Sequence, residues 1–269
     1  MLDILQYEFI HNAILAGIIV SFASGIIGSL IVVNRMVFLA GGIAHTAYGG
    51  IGLAIYFSLP IFLGASLFAC AAALLMAFIT LNQRHRIDTF IGLIWAVGMA
   101  LGIILVDLTP GYNVDLISYL FGSILAVSKD DLIYMGGLLF VIVILLFIWY
   151  REILAVSYDT QYASLRGINV KFFYTLILVL SSLTVVVAIK VVGLILVIAL
   201  LTIPIYIAEK LSSSLAGMMI KSGFISSTFT LIGLAVSYNY DLTSGASIIM
   251  VSAVGFILFL IGSKILNRG

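Results

Sequence analysis

The stretch Met36 to Ser58, MVFLAGGIAHTAYGGIGLAIYFS, is long enough to cross a bilayer and carries one ionisable side chain, His45. At about 1.5 Å per helical residue, His45 lies roughly 14 Å in from Met36, near the middle of an apolar layer about 30 Å thick. A polar ring at that depth is costly unless it faces a protein interior or a watered route, so it points to a pathway or ligand role, with a satisfied structural histidine as the alternative. Its helical neighbours at i−4, i−3, i+4 and i+7 are Gly41, Gly42, Gly49 and Gly52. So bare a face either admits a second helix at close range or leaves a channel beside the imidazole.

Little other chemistry is available. The only other histidines are His11 and His85. His11 opens the first apolar run and could assist cation capture or simply be solvated. His85 sits between Arg84 and Arg86 and reads as part of a basic loop. Asp107, Asp115 and Asp241 together would give one mouth a cation-attracting field, although each alone reads as a loop residue or helix cap. There is no G-x-x-x-x-G-K-[ST], no H-E-x-x-H and no G-x-S-x-G, so neither a phosphate-cradling loop nor a hydrolase centre is visible. The apolar spans hold no carboxylates, which counts against proton or sodium coupling. A polar route without an energy source is either a passive channel or a machine driven by a partner. No permanently bound cofactor is expected.

The scaffold for His45 is membrane-embedded: 64% of residues are hydrophobic and 9% charged, far from a soluble composition. With a formal net charge of +1 and no basic stripe, nucleic acid is not a partner. A lone cysteine, Cys70, excludes an intrachain disulfide and a cysteine-cluster zinc site. The start, MLDILQYEF, lacks the basic region of a signal peptide. The fold class is an all-α polytopic membrane protein, one domain over residues 1–269, with about nine spans and eight as the alternative. The spans are Asn12–Val33, Met36–Ser58, Ile61–Leu81, Thr89–Val106, Leu132–Tyr150, Phe172–Ile189, Val191–Ala208, Ser222–Tyr238 and Ser244–Gly262. Leu116–Val127 is too short to cross and reads as a helix at the outer mouth.

Placing residues 82–88, NQRHRID, in the cytoplasm leaves only Lys129 and Lys190 outside among the basic residues. The N-terminus is then outside and the C-terminus cytoplasmic. Pro204 inside the seventh span predicts a helix kink. Ser181, Ser182, Thr184, Ser226, Ser227, Thr228 and Thr230 read as interhelical hydrogen-bond partners. The longest polar stretch, residues 151–171, predicts a short helix over Asp159–Leu165 with Asp159 as N-cap and Gly167 as the residue past its end. Seven residues are marginal as a helix in water, so Tyr158, Tyr162 and Leu165 are expected to dock on a second surface.

Five stretches, in order along the chain, resemble the permeases of zinc and manganese ABC importers. RMVFLAGGIAHTAYGGIGLA is similar to their second helix, where a histidine follows small residues. DLISYLFGSILAVSKDDL matches their outer loop. SYDTQYASLRGI resembles their cytoplasmic coupling helix, with Asp159, Ala163 and Gly167 at the matching positions. IKVVGLILVIALLTIPIYIAE and YDLTSGASIIMV are similar to their later membrane signatures. The resemblance implies a homodimer, cytoplasmic ATPase subunits that bind the ATP and dock at residues 158–167, and an extracytoplasmic metal-binding protein. It implies transported Zn2+ or Mn2+ passing His45 by alternating access, in a multi-pass chain of the cell membrane that is no enzyme itself. One departure stands out: family members often carry an acid four residues before the histidine, and here that place is Gly41. Imidazole suits zinc and carboxylate oxygen suits manganese, so the departure leans towards zinc. The alternatives are a self-contained secondary transporter or channel, and the permease of a related iron-chelate importer.

Overall fold

The computed structural model describes residues 8–82, 87–109 and 120–266, so His85 and Asp115 lie outside the described residues. The helices are α1 (Glu8–Val33), α2 (Val37–Tyr56), α3 (Ile61–Asn82), α4 (Ile87–Asp107), α5 (Lys129–Tyr158), α6 (Thr160–Leu165), α7 (Val170–Val192), α8 (Val197–Leu200), α9 (Ile203–Leu211), α10 (Leu215–Tyr240) and α11 (Ser244–Leu266). Eight of these are long and apolar enough to cross a membrane: α1 to α5, α7, α10 and α11. The protein is an all-α polytopic membrane protein. Its short links work because non-glycine residues accept left-handed backbone: Arg35 (φ 57) turns α1 into α2, and Ser58 (φ 54) ends α2. Backbone bonds from Met36 N to Ile31 O (2.8 Å) and Leu59 N to Ala54 O (2.8 Å) close those turns.

The chain forms two compact units. One holds α2 to α4, α6, most of α5 and most of α7. Here the glycines of α2 lie against neighbouring helices. A Cβ at Gly42 would meet Ile91 Cγ2 at 2.5 Å, and one at Gly49 would meet the Gly98 carbonyl at 2.7 Å. A Cβ at Gly52 would collide with Gly102, and one at Gly50 would meet the Gly64 carbonyl at 2.6 Å. Pairing of 42 with 91, 49 with 98 and 52 with 102 makes α2 and α4 parallel in a register of about fifty residues. The bare face of α2 is therefore a helix contact at Gly42, Gly49 and Gly52. α5 bends at Trp149 (φ −113), where the rings of Phe172 and Phe173 pack edge-on against the indole at 5.6 and 6.0 Å.

The other unit holds most of α1, the start of α5, the end of α7 and α8 to α11. α1 runs antiparallel to α10: Gly25 lies on Gly223, Ser21 Oγ is 3.1 Å from Thr230 Oγ1, and Ser222 Oγ donates to the Gly25 carbonyl at 2.9 Å. At the Glu8 end of α1, Lys129 pairs with Glu8 (2.8 Å) and Lys190 with Asp131 (3.5 Å). Gly122 (φ 76) and Gly193 (φ 90) meet backbone to backbone at this level, joined by Ser123 N to Lys190 O at 3.1 Å and Ile195 N to Leu120 O at 3.2 Å. Only glycine fits there, because both positions combine left-handed φ with a main-chain neighbour where a Cβ would be.

Several sequence expectations are corrected. α7 does not stop before Lys190 but runs to Val192, and the turn comes at Gly193. The seventh span is not one kinked helix. α8 ends at Leu200, α9 begins at Ile203, and Pro204 occupies the first turn of α9, where its missing N–H has no intrahelical acceptor to lose. Residues 193–211 still carry the chain from the Glu8 end of α1 towards its other end, since Ile205 Cδ1 lies 2.8 Å from a Cβ built at Gly28. Two short helices thus stand where the sequence predicted a ninth span, and eight helices are of membrane-crossing length among the described residues. α5 continues through Tyr158, so the loop expected from residue 151 starts eight residues later. In Leu116–Val127 the described residues are 120–127, with Leu120 and Phe121 helical and one 3-10 turn at Ile124–Ala126. The hydroxyls of Ser181, Thr184 and Thr228 donate to carbonyls of their own helices; of the group, Thr230 reaches another helix, and Ser182 approaches Cys70 Sγ at 3.7 Å.

Candidate metal-transit site and coupling helix

His45 stands on the α4-facing side of α2. Gly42 and Gly49, one turn to either side, let α4 close in; the Thr46 hydroxyl donates to the Gly42 carbonyl of its own helix (2.7 Å) and lies 3.3 Å from the Ile94 carbonyl of α4. The stripe of α4 that faces α2 is Ile91, Gly98 and Gly102, all buried. Trp95 shares that stripe by helical spacing. Its indole stacks on the imidazole with ring centroids 3.9 Å apart and planes 13° from parallel. The indole is held in turn by its own helix, since Nε1 donates to Met99 Sδ at 3.2 Å.

The imidazole is half-buried, and its Nδ1 is buried without a hydrogen-bond partner. A buried polar atom left unpaired carries a desolvation penalty of about 1–3 kcal/mol. Persisting at mid-helix, such an atom is suited to a visiting Lewis acid. Among the described residues no group of three or more His, Cys, Asp or Glu could hold a metal ion. Gly41 is buried and brings no donor. One imidazole alone does not make a metal cage. The neighbouring cavity of about 360 Å³, walled by Thr46, Phe68, Ala72, Ile94, Val97 and Gly98, is apolar and does not count His45 among its walls.

The remaining sequence candidates separate. His11 is exposed near the start of α1. Asp241 is exposed and ends α10 in left-handed conformation (φ 55), its N–H donating to the Ser237 carbonyl; that is the geometry of a helix stop. Trp95 was missed by reading the sequence. Its place opposite His45 depends on the register between α2 and α4.

The segment after α5 folds as its sequence predicts. Asp159 Oδ1 accepts from Gln161 N and Tyr162 N, both at 2.9 Å, supplying two of the unpaired donors at the start of α6. Gly167 (φ 76) reverses the chain, with Gly167 N to Ser164 O and Ile168 N to Ala163 O at 3.0 Å. Ala163 is fully buried and anchors the helix to its own unit. Tyr158 (64% exposed), Tyr162 (48%) and Leu165 (89%) are left open on this surface.

With this geometry in place, comparison with known proteins is decisive. The sequence profile of the ABC 3 transport family matches residues 6–263. The chain belongs to the ABC 3 transport family. It is 48% identical to an uncharacterized membrane protein of Synechocystis over 97% of this chain and 92% of that one. A manganese transport system membrane protein of Listeria monocytogenes is 35% identical, over 97% and 93%. Among solved structures, PsaBC from Streptococcus pneumoniae in complex with Fab superposes with a TM-score of 0.87 at 32% identity, covering 96% of this chain and 93% of that one. These likenesses span almost the whole length, so the ABC 3 assignment applies to both compact units.

Proposed function

We propose that this chain is the membrane permease of an ATP-driven importer for a first-row divalent cation, zinc or manganese, and that the ion touches His45 in transit. The observation that carries the reading is the imidazole nitrogen left buried and unpaired half-way along α2. The manganese system named for the Listeria relative supports the cargo class. A neutral imidazole binds either metal, whereas the absence of a carboxylate at Gly41 removes the donor best matched to manganese. A single donor holds the ion weakly, which suits passage rather than storage.

Energy comes from a separate ATPase, because the chain has no phosphate-binding loop; it is not itself an enzyme. In this reading two copies of the chain meet two ATPase subunits and receive the ion from an extracytoplasmic binding protein. α6 seats Tyr158, Asp159, Tyr162, Leu165 and Gly167 against the ATPase, with Ala163 tying the helix back to the membrane unit. Nucleotide-driven closure then alternates the side from which His45 is reached. The N-terminus faces outward and the C-terminus inward, an orientation favoured by the positive-inside bias. Lys129 and Lys190, the two basic residues this orientation leaves outside, each pair with an acid, in keeping with it.

The test is flux in proteoliposomes containing the permease with its ATPase and binding protein. Metal uptake is expected only with ATP and all components present. ATP-independent flux through this chain alone would overturn the proposal in favour of a self-contained transporter or channel.

A further inference from the structure

We infer that Trp95 is a positioning residue for metal transit, acting through His45. The inference rests on the transit role proposed for His45 and goes beyond it, since nothing so far gives the indole a part.

Three observations combine. The indole and imidazole planes are almost parallel, 13° apart, at a centroid separation of 3.9 Å, closer than the 4.5–7 Å common for aromatic pairs. Trp95 is the one bulky aromatic on a stripe of α4 otherwise narrowed by Gly98 and Gly102 to let the backbones meet. And the indole is not free to turn, because Nε1–H donates to Met99 Sδ at 3.2 Å. A thioether thus fixes the indole, and the indole fixes the imidazole.

The consequence follows from where a metal binds imidazole. Coordination takes place in the ring plane at a nitrogen, so a group that covers the ring face does not itself occupy the coordinating edge. Stacking restricts rotation about the His45 side-chain torsions, which keeps Nδ1 from swinging to a backbone carbonyl and pairing there. It also distinguishes the two states of the site. A metal-bound imidazole carries positive charge, and tryptophan offers the best aromatic face for a cation. The stack therefore strengthens when the ion arrives. In a site with no carboxylate at Gly41, this face supplies part of the electrostatic stabilisation that an acid would otherwise give.

The experiment measures Mn2+ and Zn2+ uptake by the complete reconstituted complex as a function of metal concentration. The variants are Trp95→Leu, Trp95→Phe, Met99→Leu and His45→Ala, each checked for normal assembly with the ATPase. Trp95→Leu is expected to raise the half-saturating metal concentration about three- to tenfold, the size of a partly desolvated cation–aromatic contact. Maximal rate should change much less. Trp95→Phe keeps a stacking face and is expected to recover most of the loss, and Met99→Leu to show a smaller shift in the same direction. A Trp95→Leu complex that saturates like the unaltered one would overturn the inference. So would a loss that Trp95→Phe does not recover, because that result assigns the residue to packing alone. His45→Ala keeps the two proposals apart. If it is inactive while Trp95→Leu is normal, only the positioning role falls; if it transports normally, the transit role itself falls.

Discussion

His45 combines two properties that rarely coexist in an apolar helix: half-burial and an unpaired ring nitrogen. Either alone would suit a structural histidine. Together they leave a ring nitrogen with no hydrogen-bond partner inside an apolar helix pair. The position one turn earlier is open to direct test. Gly41→Asp restores an oxygen donor on the same face, and it is expected to lower the half-saturating Mn2+ concentration several-fold relative to Zn2+. Competition uptake with both metals measures this, and an unchanged ratio would mean that residue 41 does not face the ion. The mid-helix position of His45 was legible from the length of the apolar run. Its partner was not, because the stacking of Trp95 depends on the parallel register between α2 and α4, which no local pattern encodes.

At the scale of elements, the α2–α4 contact and α6 carry separable predictions. Backbone-to-backbone packing at Gly52 and Gly102 leaves no space for a side chain, so Gly52→Val should cost about 1–3 kcal/mol through overpacking. A lower melting temperature of the purified complex would register it, with α6 docking retained. In α6 the effects are local. A Cβ at Gly167 meets nothing within 4 Å, so Gly167→Ala acts only through the left-handed backbone (φ 76), at about 1–2 kcal/mol. Asp159→Lys removes the acceptor from Gln161 N and Tyr162 N. Both variants are expected to lower ATPase copurification or uncouple ATP hydrolysis from uptake; full coupling in both would remove α6 from the docking surface. The cap and stop of α6 were readable because capping chemistry is confined to a few neighbouring residues. The break between α8 and α9 was not. Apolar composition is the same for a continuous and an interrupted stretch, and the close approach of Gly193 to Gly122 that starts it joins positions far apart in the chain. α5 outran its expected end because Arg151 and Glu152 mark where an apolar layer stops, not where a helix must.

For the whole molecule, the proposed orientation rests on the charge bias of the loops. With Cys70 replaced by Ser, Lys129→Cys is expected to react with an impermeant thiol reagent added outside intact cells, and Lys264→Cys only after the membrane is opened. The reverse pattern would invert the topology and place α6 on the wrong side for an ATPase. The most direct measurement is ATP-driven Mn2+ and Zn2+ uptake by the reconstituted permease–ATPase complex carrying His45→Ala, with assembly and basal ATP hydrolysis followed in the same preparation. Uptake is expected to fall to background while assembly and basal hydrolysis persist; undiminished uptake of both ions would contradict a transit role for His45.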